Sequence, residues 1–191
     1  MGDLRQDSMK IDCITNSVFN SRTYIISESD SNNVWLVDCG DVELLLEKIA
    51  GRQILGLFLT HTHFDHIYGL PEFMKLKPSV PIYTNEYGKM ALADDKLNLS
   101  RYHERPISIV SDNVVVVREG DNVGPFSIIE TPGHSPSSIC ILTDDFLFTG
   151  DSYIPGVRTV VNLPKCDKTQ ALLSWNRIEK IKNTRKIYPG H

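Results

Sequence analysis

The segment His61-Thr62-His63-Phe64-Asp65-His66 sets four side chains able to hold a metal ion within six positions. Imidazole and carboxylate donors suit zinc, iron and manganese, and a set without thiolates turns away from copper(I) and iron–sulfur clusters. Three further candidates each follow a glycine: His134 in Thr131-Pro132-Gly133-His134-Ser135, Asp151 in Phe148-Thr149-Gly150-Asp151, and His191 in Tyr188-Pro189-Gly190-His191. Glycine permits the tight turn that would aim such a side chain from the end of a strand. Of the 6 histidines only His103 lies outside the set, in Arg101-Tyr102-His103-Glu104-Arg105, where it reads as an exposed loop residue. A scatter of surface or core histidines would not concentrate in this way, and the chemistry it points to is hydrolysis assisted by metal ions.

Donors of this kind need rigid elements behind them. Residues 54–59 form an apolar run of strand length that delivers the chain directly into His61. Ahead of it, residues 10–19, 22–27 and 34–39 read as a meander of strands separated by Ser, Asn and Asp turns. Asp41 is placed to cap a short helix through Ala50 that buries Leu44, Leu45 and Ile49, and Gly51 stops it. Beyond the motif the pattern predicts a helix over residues 68–77, a turn bracketed by Pro78 and Pro81, a short strand at residues 82–84 and a helix from Asn85. Residues 94–112 lack a period and read as a surface loop or irregular lid. Strands follow at residues 114–118, 126–130, 138–142 and 146–148, then a helix at about residues 168–181 whose basic end, through Lys186, is solvated. Strands then helices, twice over, predict class α+β: two sheets face to face with helices outside, a four-layer αββα sandwich.

Composition sets the limits. With 191 residues, 41% hydrophobic and 23% charged, the chain is expected to form one domain over residues 10–191 behind an N-terminal extension of residues 1–9. A net charge of -4 argues against a nucleic-acid surface, so the expected partner is a small-molecule substrate. The apolar run at residues 54–59 is far shorter than the roughly 20 residues that span a bilayer. The N-terminus lacks a secretory signal, which makes a cytoplasmic location the expectation. Cys13, Cys39, Cys140 and Cys166 form no CxxC pair and read as free, mostly buried thiols.

The HxHxDH, Gly-His, Gly-Asp and final Gly-His elements resemble the metallo-β-lactamase superfamily, and in particular its glyoxalase-II-like (hydroxyacylglutathione hydrolase-like) branch, nearly end to end. Tyr24-Ile25-Ile26 and Leu36-Val37-Asp38-Cys39-Gly40 resemble that family's opening hairpin. The resemblance implies two divalent metal ions, zinc first, with iron or manganese as alternatives. It places His61, His63 and His134 on one ion and Asp65, His66 and His191 on the other, with Asp151 bridging. Two cations roughly 3.5–4 Å apart lower the pKa of a shared water. The implied nucleophile is a metal-bridging hydroxide, oriented by Asp65, that cleaves a small thioester, ester or lactone. Asp38, Thr60 and Ser137 are expected to support the ligands, and Tyr153 to pack. The alternatives are a mononuclear iron enzyme similar to persulfide dioxygenases, using His61, His134 and Asp151, and a β-lactamase. Full glyoxalase II enzymes continue past the last ligand into a helical region that helps hold glutathione. This sequence stops at His191, which leaves open whether the chain is truncated there, and glutathione specificity is not implied.

Overall fold

The structure is a computed structural model and describes residues 9–28 and 31–191. The first half forms β1 (Lys10–Thr15), β2 (Arg22–Ser27), β3 (Asn33–Val37), α1 (Val42–Ile49), β4 (Gln53–Phe58), α2 (Phe64–Ile67), α3 (Leu70–Leu76), β5 (Ile82–Thr84), α4 (Glu86–Leu92) and β6 (Val114–Val116). β1, β2 and β3 are antiparallel, whereas the helical crossovers make β3 to β6 parallel, giving a six-stranded sheet in sequence order. The second half forms β7 (Asn122–Val123), β8 (Phe126–Glu130), β9 (Ile139–Leu142), β10 (Phe146–Gly150), α5 (Lys168–Ile181) and β11 (Lys186–Pro189). Its five strands are ordered β11-β10-β9-β8-β7, with β11 parallel to β10.

Strand alternation sorts the side chains into three apolar layers. Ile25, Leu36 and Leu57 face one way and pack with Leu45 and Ile49 of α1 and Phe73 of α3. Their neighbours Tyr24, Ile26, Val37 and Phe58 face the other way and meet Phe126, Ile128, Ile141 and Phe148 of the second sheet. The outer face of that sheet carries Ile129, Cys140 and Leu147 against Ile178 of α5. This is the four-layer αββα sandwich of class α+β, with its central layer dominated by aromatic rings. Phe58 lies stacked on Trp35 at 5.5 Å between centroids and edge-on to Phe126 at 5.3 Å. α5 buries Ala171, Ser174 and Ile178 on one stripe, and Asp167 caps it by accepting from the backbone N–H of Thr169 and Gln170.

Several local expectations are corrected. β1 stops at Thr15 rather than residue 19, because Phe19 and Asn20 take left-handed backbone angles and turn the chain. Asp41 stands at the start of α1 without capping it, its carboxylate being taken by Ser17 and Tyr68, and Leu44 is exposed while Val42 fills the buried stripe. The helix expected over residues 68–77 is α3, starting at Leu70, and a further short helix, α2, precedes it inside the motif; between them a Cβ at Gly69 would collide with the carbonyl of Gly40. β6 pairs with β5 in the first sheet rather than joining the second. β11, a strand not among those expected, starts at Lys186, the last residue of the segment read as a solvated helix end. The 94–112 segment is an irregular surface loop as expected, pinned from within: Asn98 and Ser100 are fully buried and Asn98 donates to the carbonyls of Ala91 and Ile107. All four cysteines are free, Cys39 and Cys140 buried and Cys13 exposed. Met9, placed at the end of the expected extension, packs against the inter-sheet layer, while residues 1–8 lie outside the described residues. Among the described residues, no helix is long and apolar enough to cross a membrane.

Phe58 touches both sheets, so removing its ring leaves a cavity that neither can close. Phe58→Ala is expected to lower unfolding stability by about 3–5 kcal/mol, read as a shift of the urea midpoint at unchanged m-value.

Candidate metal centre

The donors come from loops at the ends of strands in both sheets. β4 runs through Leu59 and Thr60 into His61 and His63, and α2 begins immediately to carry Asp65 and His66. β10 ends at Gly150 before Asp151, and β11 ends at Pro189 before His191. His134 sits in the turn between β8 and β9. Backbone bonds lock these loops together: Ile139 N–H donates to the Thr60 carbonyl, Gly190 N–H to that of Gly150, and Cys39 N–H to that of His66, all between 2.8 and 2.9 Å.

The glycines answer a shortage of space. A Cβ at Gly190 would collide with Oδ1 of Asp151 and crowd the His66 ring, although the backbone there is ordinary. Gly150 has a left-handed φ of 49° and abuts Thr60, so both space and backbone exclude a side chain.

The outward nitrogens of four imidazoles are anchored. His66 Nδ1 donates to Asp38 at 2.9 Å, His134 Nδ1 to the Val160 carbonyl at 2.9 Å, His191 Nδ1 to the Phe19 carbonyl at 3.0 Å, and His61 Nδ1 lies 3.3 Å from the Thr60 hydroxyl. Carbonyls only accept, so Nδ1 of His134 and His191 carries a proton and each Nε2 is the inward donor. Asp38 is the organiser of this shell. Its carboxylate also accepts from the Thr60 N–H and hydroxyl, both at 2.7 Å, which joins the end of β3 to the end of β4.

Inside, the seven candidates form three overlapping groups: His61, His63 and His134; His61, His66 and Asp151; Asp65, His66 and His191. Within each group the ligand atoms lie within 4.8 Å of one another. Asp151 has one oxygen 3.5 Å from His66 Nε2 and the other 3.6 Å from His134 Nε2 and 3.4 Å from His191 Nε2. Nε2 of His61, His66 and His134 and Oδ1 of Asp151 are buried without a hydrogen-bond partner. Four orphaned polar atoms in these overlapping groups fit cations, which would accept their lone pairs.

Electrostatics divides the set. Burial and the neighbouring imidazoles hold His61 well below the usual histidine range, and burial with His134 pushes His63 down to about 3. Burial lowers His134 as well. These three remain neutral with free lone pairs. Burial opposes charge on His66, but Asp65, Asp151 and Asp38 outweigh it and raise the group well above the ordinary value. Bonds to Asp151 and Asp65 raise His191 to about 9. Burial opposes charge on Asp65 and Asp151 too, yet His66 and His191 draw both below the carboxylate range.

The structure therefore brings together all seven candidates named from the sequence. Asp38 and Thr60 stand behind imidazoles as expected. Ser137 does not: its hydroxyl accepts from Thr62 and bonds Ser135. Tyr153 is buried against Trp175, the packing role expected of it. His103 is not a free loop residue but is half-buried, stacked on Phe64 at 3.9 Å. The carbonyls of Phe19 and Val160 were missed, since a backbone acceptor distant in sequence leaves no signature in residue type.

Fold and site together define an αββα protein built around a candidate divalent-metal site of His and Asp donors. The chain belongs to the metallo-β-lactamase superfamily, whose pattern matches residues 17–191. Hydroxyacylglutathione hydrolase of Shewanella halifaxensis is 29% identical over 136 residues, covering 70% of this chain and 47% of the relative. That of Hydrogenovibrio crunogenus is 26% identical over 178 residues, covering 88% and 58%. The chain thus spans about half to three fifths of the length of these curated relatives. Among solved structures, the BLEG-1 B3 metallo-β-lactamase superposes with a TM-score of 0.81 at 28% identity, over 95% of this chain and 91% of that one.

Two predictions follow from the shell and its charges. Asp38→Asn is expected to weaken binding of divalent metal by about 10–100-fold, measured by competition with a chelator. In chelator-stripped protein, stability is expected to peak near the ordinary histidine value of 6.5. Below it the unfolded chain protonates the counterparts of His61, His63 and His134 while the folded chain does not; above it the ion pairs of His66 and His191 are lost as pH rises through the folded value, about 9 for His191. Urea unfolding at a series of pH values reads this directly, and a flat profile between pH 5 and 9 would contradict it.

Proposed function

We propose that this chain hydrolyses a small thioester, ester or lactone with the help of two divalent ions. On this reading His61, His63 and His134 hold one ion and Asp65, His66 and His191 the other, with Asp151 between them. The observation that carries the proposal is the set of buried, unpartnered atoms on His61, His66, His134 and Asp151. Leaving each unpaired costs about 1–3 kcal/mol, a cost that cations in place would offset. Zinc, iron and manganese all suit these donors. Bound ions would supply a water of lowered pKa and a Lewis acid for the carbonyl oxygen.

The chain's own residues do the rest. The Phe19 and Val160 carbonyls keep a proton on Nδ1 of His191 and His134, which leaves Nε2 free. Asp65 keeps its carboxylate ionised, 3.3 Å from His191 Nε2, where it can orient a reacting water and take its proton. His61 and His66 are sealed inside, whereas Asp65, Asp151 and His191 retain side-chain exposures of 14, 13 and 26%, so substrate arrives from their side.

Thioester cleavage is favoured by the relatives named hydroxyacylglutathione hydrolase. Cleavage of a β-lactam is the second reading, favoured by the BLEG-1 B3 metallo-β-lactamase. Protein supplied in turn with zinc, manganese and iron(II) is to be assayed on S-lactoylglutathione, a simple lactone and nitrocefin. Turnover of the thioester or lactone is expected, abolished by chelation, restored by metal, and absent in Asp151→Ala. Turnover confined to nitrocefin would favour the second reading. Activity indifferent to chelation would overturn both.

A further inference from the structure

The anchored imidazoles are not all held from the same part of the chain. His66 bonds the buried carboxylate of Asp38, His61 lies beside the Thr60 hydroxyl, and His191 bonds the Phe19 carbonyl, so these three anchors all belong to the first half of the sequence. His134 is held by the segment that runs from residue 160 into α5. Its turn presents three successive carbonyls to that segment, and each is taken. The Ser174 hydroxyl donates to Pro132 at 2.7 Å, the Asp167 N–H to Gly133 at 2.8 Å and the Cys166 thiol to His134 at 2.9 Å. The His134 ring completes the set by donating its Nδ1–H to the Val160 carbonyl at 2.9 Å.

These bonds and the backbone leave the turn little freedom. Gly133 has a φ of 137°, and a Cβ there would collide with the main chain of Ala171, so turn and helix meet backbone to backbone. Ser174 follows Ala171 by three residues on the buried stripe of α5, which sets its hydroxyl over the same turn. Asp167 fixes the register, because its carboxylate caps α5 while its N–H bonds Gly133. The acceptor of the His134 ring is less enclosed. Val160 is 46% exposed and lines, with Ala171, Leu172 and Trp175 of α5, a cavity of about 950 Å³. Hydrogen bonds rather than burial therefore decide where the His134 ring points.

We propose that the 160–174 segment sets the affinity of one of the two ions, that of His61, His63 and His134, with Cys166 and Ser174 as positioning residues acting through the His134 turn. The inference rests on the two-ion reading given above and deepens it. A ligating imidazole loses affinity when the groups that orient it are removed, because its Nε2 then spends time aimed away from the ion. The histidines of the other ion, His66 and His191, depend on Asp38 and the Phe19 carbonyl, so the loss is confined to one ion. General loosening of the fold would not be selective in this way.

The test is zinc titration of chelator-stripped protein in competition with a chromophoric chelator, with the His134 imidazole nitrogens followed by NMR. Wild type is expected to take up two ions. Ser174→Ala and Cys166→Ala are each expected to weaken one ion by about 10–100-fold, the one to which His134 Nε2 responds, and to leave the other within about twofold. Ser174→Thr and Cys166→Ser keep a donor and are expected to stay within about threefold of wild type. Ile178→Val loosens the same helix against the sheet without reaching the turn, and is expected to lower stability while leaving both affinities within about twofold. Should Ser174→Ala fail to fold, Cys166→Ala carries the test alone. Equal weakening of both ions, no weakening of either, or an Ile178→Val that matches Ser174→Ala overturns the proposal. If wild type takes up a single ion, the two-ion reading fails by itself: weakening of that ion by Ser174→Ala and not by Ile178→Val would still uphold the positioning role, and unchanged binding would overturn it.

Discussion

Donor side chains can be crowded into one place only if their outward halves are fixed and their inward halves have a common target. The outward halves are fixed here by Asp38, Thr60 and the carbonyls of Phe19 and Val160. Inward, three histidine nitrogens and a carboxylate oxygen are buried without a hydrogen-bond partner. Without a cation the cluster holds itself together by unequal protonation, with His66 and His191 charged against Asp65 and Asp151 while His61, His63 and His134 stay neutral. Cations would displace the protons on the charged pair and use the lone pairs of the neutral three, so metal binding and proton release are one event.

The sandwich exists, in this light, to bring strand ends from two sheets to one point. β3 and β4 supply Asp38 and His61, the β8–β9 turn supplies His134, and β10 and β11 supply Asp151 and His191. Alternating side chains weld the sheets through Phe58, Trp35, Phe126 and Phe148, far enough below the loops that packing and chemistry do not compete for the same residues. Tyr24 connects the two levels: it packs on Phe148 in the central layer while its hydroxyl donates to the Pro189 carbonyl, two positions before His191.

Much of this was legible in the sequence, and for identifiable reasons. Donor types packed into HxHxDH, and glycines before His134, Asp151 and His191, are local signals that survive without knowledge of the fold. The layers were legible because the β-branched and aromatic content of β2 and the apolar run of β4 are also local. What escaped depends on distant contacts. Asp41 looks like a helix cap, yet Ser17 and Tyr68 claim it; β11 does not read as a strand because pairing with β10, not its composition, makes it one. His103 looks exposed until Phe64 is found beneath it.

The account turns on two cations sharing Asp151, and the direct measurement is anomalous diffraction from crystals of protein loaded with zinc, collected on both sides of the zinc edge. Two anomalous peaks are expected, one among His61, His63 and His134 and one among Asp65, His66 and His191, with Asp151 touching both. A single peak held by His61, His134 and Asp151, or peaks away from these residues, would contradict it.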